Sequence, residues 1–143
     1  LDINSIKGKV DLLKNNSKDS PYAGRSAIYL SKLYSEAGSN EEAINELTWA
    51  AENATEESIQ SIAYYHLANL FFITNKLDRA MESAEKINTI GFQTLAKDII
   101  GDIFLKQGNK KEAKKSYLES LKLNKGQSDI SKILQNKIDS IGQ

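Results

Sequence analysis

The chain has 143 residues, and its 19 Lys and Arg are balanced by 19 Asp and Glu, so the formal net charge is zero. That balance argues against a protein built to hold nucleic acid, which carries a basic excess, and only Arg25 and Arg79 offer guanidinium groups for phosphate. With no Cys and one His, His66, disulfides, thiolate metal sites and a Cys nucleophile are excluded, and a His-based triad or multi-His metal site is nearly so.

Apolar residues recur at helical spacing along the whole chain. Ile3, Ile6, Val10 and Leu13 form the first stripe, Ala27, Leu30, Tyr34 and Ala37 the second, and Ala43, Leu47, Ala50 and Ala51 the third. Then come Ile59, Ile62, Ala63, Leu67, Leu70 and Phe71, followed by Leu77, Ala80, Met81, Ala84 and Ile87. Leu95, Ala96, Ile99, Ile100, Ile103 and Phe104 make a sixth stripe, Ala113, Tyr117 and Leu121 a seventh, and Ile130, Ile133, Leu134 and Ile141 the last. No segment alternates with period two between hairpin turns. Eight helices and no strands are predicted, an all-α fold. The longest mostly apolar run, Ile62 to Ile73, is far shorter than the roughly 20 residues of a membrane span. The chain opens on Leu1 and its one methionine is Met81, so a processed or excised piece of a longer protein is expected.

The breaks agree with the stripes. Ser20 before Pro21 is an N-cap followed by proline at the first helical position. Ser39 with Glu42, and Asn109 with Glu112, have the spacing of capping boxes. Thr55 and Ser128 are candidate caps for two further helices. Gly38 and Gly108 stand where helices should end in the left-handed conformation.

This punctuation repeats. Gly38-Ser39-Asn40-Glu41-Glu42-Ala43 becomes Asn75-Lys76-Leu77-Asp78-Arg79-Ala80 and then Gly108-Asn109-Lys110-Lys111-Glu112-Ala113. The three alanines lie 37 and 33 residues apart. Upstream of each turn stand an apolar residue, a small neighbour and an aromatic: Leu30-Ser31-Tyr34, Leu67-Ala68-Phe71 and Ile100-Gly101-Phe104. Leu47, Ala84 and Tyr117 follow the alanines by four positions. A period near 34 with this order is the tetratricopeptide (TPR) pattern, although the consensus Trp is replaced by Ala27, Tyr64 and Lys97. The small residue lets two helices of a hairpin approach, the aromatic fills the gap, and the alanine permits the crossing. One hairpin cannot bury its apolar face alone, so neighbours must stack. The expected architecture is a TPR-like superhelix in one domain. Residues 1–18 form a partial N-terminal helix, 24–57, 61–92 and 94–125 the repeats, and 128–141 a C-terminal capping helix.

No catalytic constellation emerges, and neither an enzyme nor a cofactor or metal is expected. His66 has no nucleophile beside it in the pattern. Glu41-Glu42 and Glu56-Glu57 fall at helix N-termini, where negative charge favours the dipole. Trp49 is expected to pack structurally. What remains is a protein-binding surface on the first helix of each pair. From the repeat phase the candidate groove residues are Arg25, Tyr29 and Lys32, with Ile28 and Ser35, in the first repeat. They are Tyr65, His66, Asn69 and Phe72, with Ile62 and Ile73, in the second. They are Asp98 and Asp102, with Leu95, Ile99, Leu105 and Lys106, in the third. Tyr65 and Phe72 either pack against a terminal helix, filling the groove from within, or stand open as aromatic anchors. The zero net charge is itself a cancellation. From Glu36 to Glu57 there are seven acidic residues and no Lys or Arg; from Lys106 to Lys125 there are seven Lys against Glu112 and Glu119.

The third repeat, Gly91-Phe92-Gln93-Thr94-Leu95-Ala96, then Gly101-Asp102-Ile103-Phe104 and Gly108, and finally Glu112-Ala113-Lys114-Lys115-Ser116-Tyr117, is similar to the YfgM-like family of ancillary SecYEG translocon subunits. The resemblance covers about Asp19 to Ile141. It implies a TPR-like domain on the periplasmic side of the bacterial inner membrane, with an N-terminal transmembrane anchor that this sequence does not include. It also implies protein partners: translocon subunits, exported clients or a periplasmic chaperone such as PpiD. Ser20-Pro21-Tyr22-Ala23 also resembles outer-membrane assembly lipoproteins of the BamD type, which keeps a cell-envelope lipoprotein open as the alternative.

Overall fold

The computed structural model describes residues 2–125 and 128–142. Eight α-helices run in chain order among them: α1 (Ile3–Asn16), α2 (Pro21–Glu36), α3 (Asn40–Asn53), α4 (Glu57–Ile73), α5 (Leu77–Glu85), α6 (Gln93–Lys106), α7 (Lys110–Leu123) and α8 (Ser128–Ile141). One turn of 3-10 helix, Ile90–Phe92, leads into α6, and the described residues contain no strand. None of the described helices is long and apolar enough to cross a membrane.

The three turns within the repeats are built alike. Gly38, Asn75 and Gly108 all have positive φ, at 79°, 62° and 82°. The left-handed residue lets the next backbone N–H reach back to an otherwise unpaired carbonyl of the preceding helix. Ser39 N–H donates to Tyr34 O at 2.8 Å, Lys76 N–H to Phe71 O at 2.8 Å, and Asn109 N–H to Phe104 O at 2.9 Å. The accepting residue is each time the repeat's aromatic, so one position both fills the hairpin and closes its turn.

The caps divide. Ser20 Oγ accepts from Tyr22 N–H at 3.1 Å ahead of Pro21, and Asn109 Oδ1 accepts from Glu112 N–H at 3.2 Å. Ser39 makes no such bond, contrary to the expected box. Both residues follow a left-handed position and hold nearly the same backbone angles; the asparagine side chain is one bond longer and reaches where the serine hydroxyl falls short. Thr55 is no cap either: α4 begins at Glu57 after Glu56. The cap expected at Ser128 lies outside the described side chains. Two glutamines tie the start of a helix back to a carbonyl of the segment before it. Gln60 Nε2 donates to Ala54 O at 2.7 Å, and one repeat later Gln93 Nε2 donates to Ile87 O at 2.7 Å.

Helices α2 and α3, α4 and α5, and α6 and α7 form three antiparallel hairpins, and α2, α4 and α6 also touch in series. Ala43, Ala80 and Ala113 are fully buried at the crossings. Gly101 shows why the small residue is needed: a Cβ there would stand 2.4 Å from Tyr117 Cε1, well inside contact distance. Most of the apolar stripes from α1 to α6 merge into one core, including Val10, Leu30, Tyr34, Leu47, Leu67, Phe71 and Ile103. A second, smaller core joins Ala113 and Tyr117 of α7 to Leu134, Ile138 and Ile141 of α8. Trp49 packs against the first core. Ile87 is buried although α5 ends two residues earlier.

Candidate functional site

Between α2 and α4 the inner layer opens into a hollow of about 510 Å³. Helix α2 supplies Arg25, Ile28, Tyr29, Lys32 and Ser35, which recur at three- and four-residue steps and so share one face. Helix α4 supplies His66, Asn69, Leu70 and Ile73 in the same way, and Ser31 and Leu47 complete the lining. Ser31 turns its hydroxyl back to Ile28 O at 2.6 Å and so satisfies it within its own helix. Asn69 Nδ2 likewise donates to Tyr65 O at 3.0 Å. The lining is mainly apolar, and two of its large side chains are open to water: Tyr29 is 50% and Ile73 70% exposed.

Charge sits at the rim. Both carboxylate oxygens of Glu56 accept from Arg25 Nη2 at 2.9 Å. Lys32 and Glu36 stand 3.9 Å apart, one turn along α2. His66 keeps an exposed edge, yet the walls strip enough water from the imidazole to lower its pKa below the ordinary histidine value. The ring lies 5.9 Å from that of Tyr65, tilted against it.

Of the expected groove residues, Arg25, Tyr29, Lys32, His66 and Asn69 line this hollow. Tyr65, Phe72, Asp98 and Asp102 do not. Phe72 is half-buried against the main core, under Lys106, whose Nζ lies 4.6 Å from the ring centre and donates to Phe72 O at 3.3 Å. Asp98 and Asp102 face α8. Lys137 Nζ donates to Asp98 Oδ1 at 2.7 Å and to the two oxygens of Asp102 at 3.0 and 3.1 Å. Tyr117 donates its hydroxyl to Asp102 Oδ1 at 2.5 Å. Burial pushes the Asp98 carboxyl above its ordinary value, and Lys137 holds it back. Burial alone would lower Lys137, but the two carboxylates outweigh it and keep the ammonium above its ordinary value. Burial, then the bond to Asp102, drives the Tyr117 phenol far upward. Lys137 of the C-terminal helix therefore engages the two carboxylates of the third repeat's inner helix, while α8 itself packs chiefly on α7. Lys137 carried no motif in the sequence, and only the packing of α8 brings it to the pair.

His66 has the Tyr65 ring as its neighbour, and no group of three or more His, Asp or Glu among the described residues is arranged to hold a metal. The architecture is a TPR-like α-solenoid, a class whose inner surface serves protein interaction. The chain belongs to the tetratricopeptide repeat-like domain family, whose model matches residues 2–143. It is 29% identical over 100 residues to the ancillary SecYEG translocon subunit of Buchnera aphidicola subsp. Acyrthosiphon pisum, a match covering 70% of this chain and 52% of that protein. It is 30% identical over 108 residues to the ancillary SecYEG translocon subunit of Aggregatibacter actinomycetemcomitans, covering 76% of this chain and 52% of that one. These matches agree with the YfgM-like resemblance, and the chain spans about half the length of the curated relatives it matches. The crystal structure of MamA shares the fold, with a TM-score of 0.66 at 16% identity over 98% of this chain and 86% of that one.

Proposed function

We propose that the chain is the non-catalytic, periplasmic interaction domain of an ancillary translocon subunit. Its α2–α4 groove holds an apolar segment of a partner at the Sec translocon of the inner membrane. The observation that carries this reading is the hollow itself: an apolar trough on the inner face with Tyr29 and Ile73 open at its edge. Aromatic and aliphatic anchors beside a concave apolar lining suit a peptide or amphipathic helix, which buries one stripe of side chains and leaves the other wet. The partners proposed are translocon subunits, polypeptides leaving the channel, and a periplasmic chaperone such as PpiD.

The test is site-specific photocrosslinking. A photoreactive residue replaces Tyr29 in the full-length protein, reconstituted with SecYEG and a translocating substrate. Crosslinks to a translocon subunit or to the emerging polypeptide, abolished by Ile73→Glu, are expected. No crosslink from position 29, with an undisturbed helical circular-dichroism spectrum, would sink the groove reading.

A further inference from the structure

One face of α7 has no part in the fold or the groove. Lys111, Lys114, Lys115, Leu118 and Lys122 recur at three- and four-residue steps, and so share the side of the helix opposite the buried Ala113, Tyr117 and Ser120. All five are exposed, and Leu118 keeps 47% of its surface open. Together with Glu119 they border a shallow hollow on the outside of the stack. Among the described residues none of these four lysines has an ion-pair partner, and Glu119 is engaged by Lys97 at 3.0 Å. A cationic stripe without counter-charge in a chain of zero net charge is a concentration of field, not an average property.

We propose that this face of α7 lies against an anionic phospholipid surface. Three features select lipid over other anions. The cations are all lysine, with no arginine: lysine answers a diffuse negative field, whereas fixed recognition of single phosphates favours the bidentate guanidinium fork. An exposed leucine sits among them, suited to the boundary between headgroups and acyl chains. The opposite end of the stack carries the acidic run, with Glu41, Glu42 and Glu52 exposed on α3. A negative surface attracts one end and repels the other, so the same charges that bind also set orientation, with α3 pointing away from the membrane. The choice of lipid rests on the membrane location proposed above; the binding chemistry does not.

Vesicle co-sedimentation of the chain tests this without any translocon, so its failure and that of the groove reading are separate events. The chain should bind vesicles of phosphatidylglycerol and phosphatidylcholine in equal parts, and not pure phosphatidylcholine. Binding should fade as salt rises from ~0.05 to ~0.5 M and the screening length contracts. Each lysine near such a surface contributes about fivefold to partition. Lys111→Glu with Lys114→Glu and Lys122→Glu should therefore lower binding by a hundredfold or more. The corresponding Lys→Gln triple should give an intermediate loss, and Leu118→Ser a loss of severalfold. Lys9→Glu with Lys18→Glu, exposed at the other end, should leave binding unchanged. Absence of binding to the anionic vesicles, an equal loss in the Lys9/Lys18 control, or full binding by a folded Lys→Glu triple would each overturn the assignment. So would sedimentation equilibrium showing that the α7 lysines instead hold a second copy.

Discussion

At the N-terminal end of the stack, Lys14 of α1 pairs with Glu46 of α3, and its Nζ lies 5.1 Å from the centre of the Trp49 ring. At the C-terminal end, Lys137 of α8 pairs with Asp98 and Asp102 of α6, with its Nζ 5.5 Å from the Tyr117 ring. The two terminal helices thus use the same parts: one lysine, a carboxylate and an aromatic. They differ in which helix of the hairpin holds the carboxylate. Glu46 stands on the second, outer helix, so Lys14 reaches past α2, on which α1 chiefly packs, to the outer layer. Asp98 and Asp102 stand on the first, inner helix, so Lys137 reaches past α7, on which α8 chiefly packs, to the inner layer. Both terminal helices also bury an apolar stripe, Ile3, Ile6 and Val10 on one and Leu134, Ile138 and Ile141 on the other. Burial of apolar surface has no direction. The ion pair has one, and it ties α8 to inner-helix carboxylates while it ties α1 to an outer-helix one.

The contrast breaks most severely at Gly101. Gly101→Val puts side-chain carbons into the Tyr117 ring and should cost more than about 3 kcal/mol, seen as a fall in the urea midpoint. The double variant with Tyr117→Ala should lose less than the sum of the two single variants, because the two sites share one space. Additive losses would mean that the ring is not the obstacle.

The lysines sharpen the comparison. Lys14→Met leaves Glu46, only 6% exposed, without its counter-charge and should cost about 3 kcal/mol. Lys137→Met should cost about half as much, because Asp98 and Asp102 keep roughly a quarter of their side-chain surface in water and Asp102 keeps the Tyr117 hydroxyl. Equal losses would contradict the difference in burial. Only the second substitution should loosen the C-terminal helix, read as faster amide exchange in α8. The alkaline limb separates them further. Lys137 and Tyr117 both hold their protons more tightly in the fold than at their ordinary values of 10.5 and 10.0. Their contribution is complete below those values and is lost as pH rises through the folded ones. Denaturation midpoints of wild type should therefore fall above about pH 10, and Lys137→Met should show a shallower fall.

The smallest effect belongs to the open end. His66, the chain's one histidine, has a lowered pKa, so its contribution to stability is present above about pH 6.5 and lost as pH falls through the folded value. Its single set of imidazole NMR signals should titrate below 6.5 in the free protein. A partner segment in the groove should strip away more water and move the titration lower still. A pKa unchanged by a bound partner would place that partner elsewhere.

Much of the architecture is local and was therefore legible. Period 3.6, the three in-phase turns and the alternation of small residue and aromatic each depend on residues within one hairpin, and the backbone answers them position by position, including the left-handed Asn75 that stands where the other repeats have glycine. The phase also put Arg25, Tyr29 and Lys32 on one side of α2, because they need only one helix to share a face, but not Ser31, Leu47 and Leu70, which line the same hollow. The pattern failed where reach decides: Ser39 and Asn109 look alike as caps until the length of the side chain is set against the turn. It was silent where partners are distant in sequence. Lys137 meets Asp98 across 39 residues, and Lys14 meets Glu46 across 32. Periodicity determines which side of a helix is inward, because that follows from a rotation per residue. It does not determine what lies against that side. For Asp98 and Asp102 the answer is the chain's own last helix, and for Tyr29 and Ile73 it is open solvent. That outcome comes from where a lysine and its carboxylates meet once the hairpins have stacked.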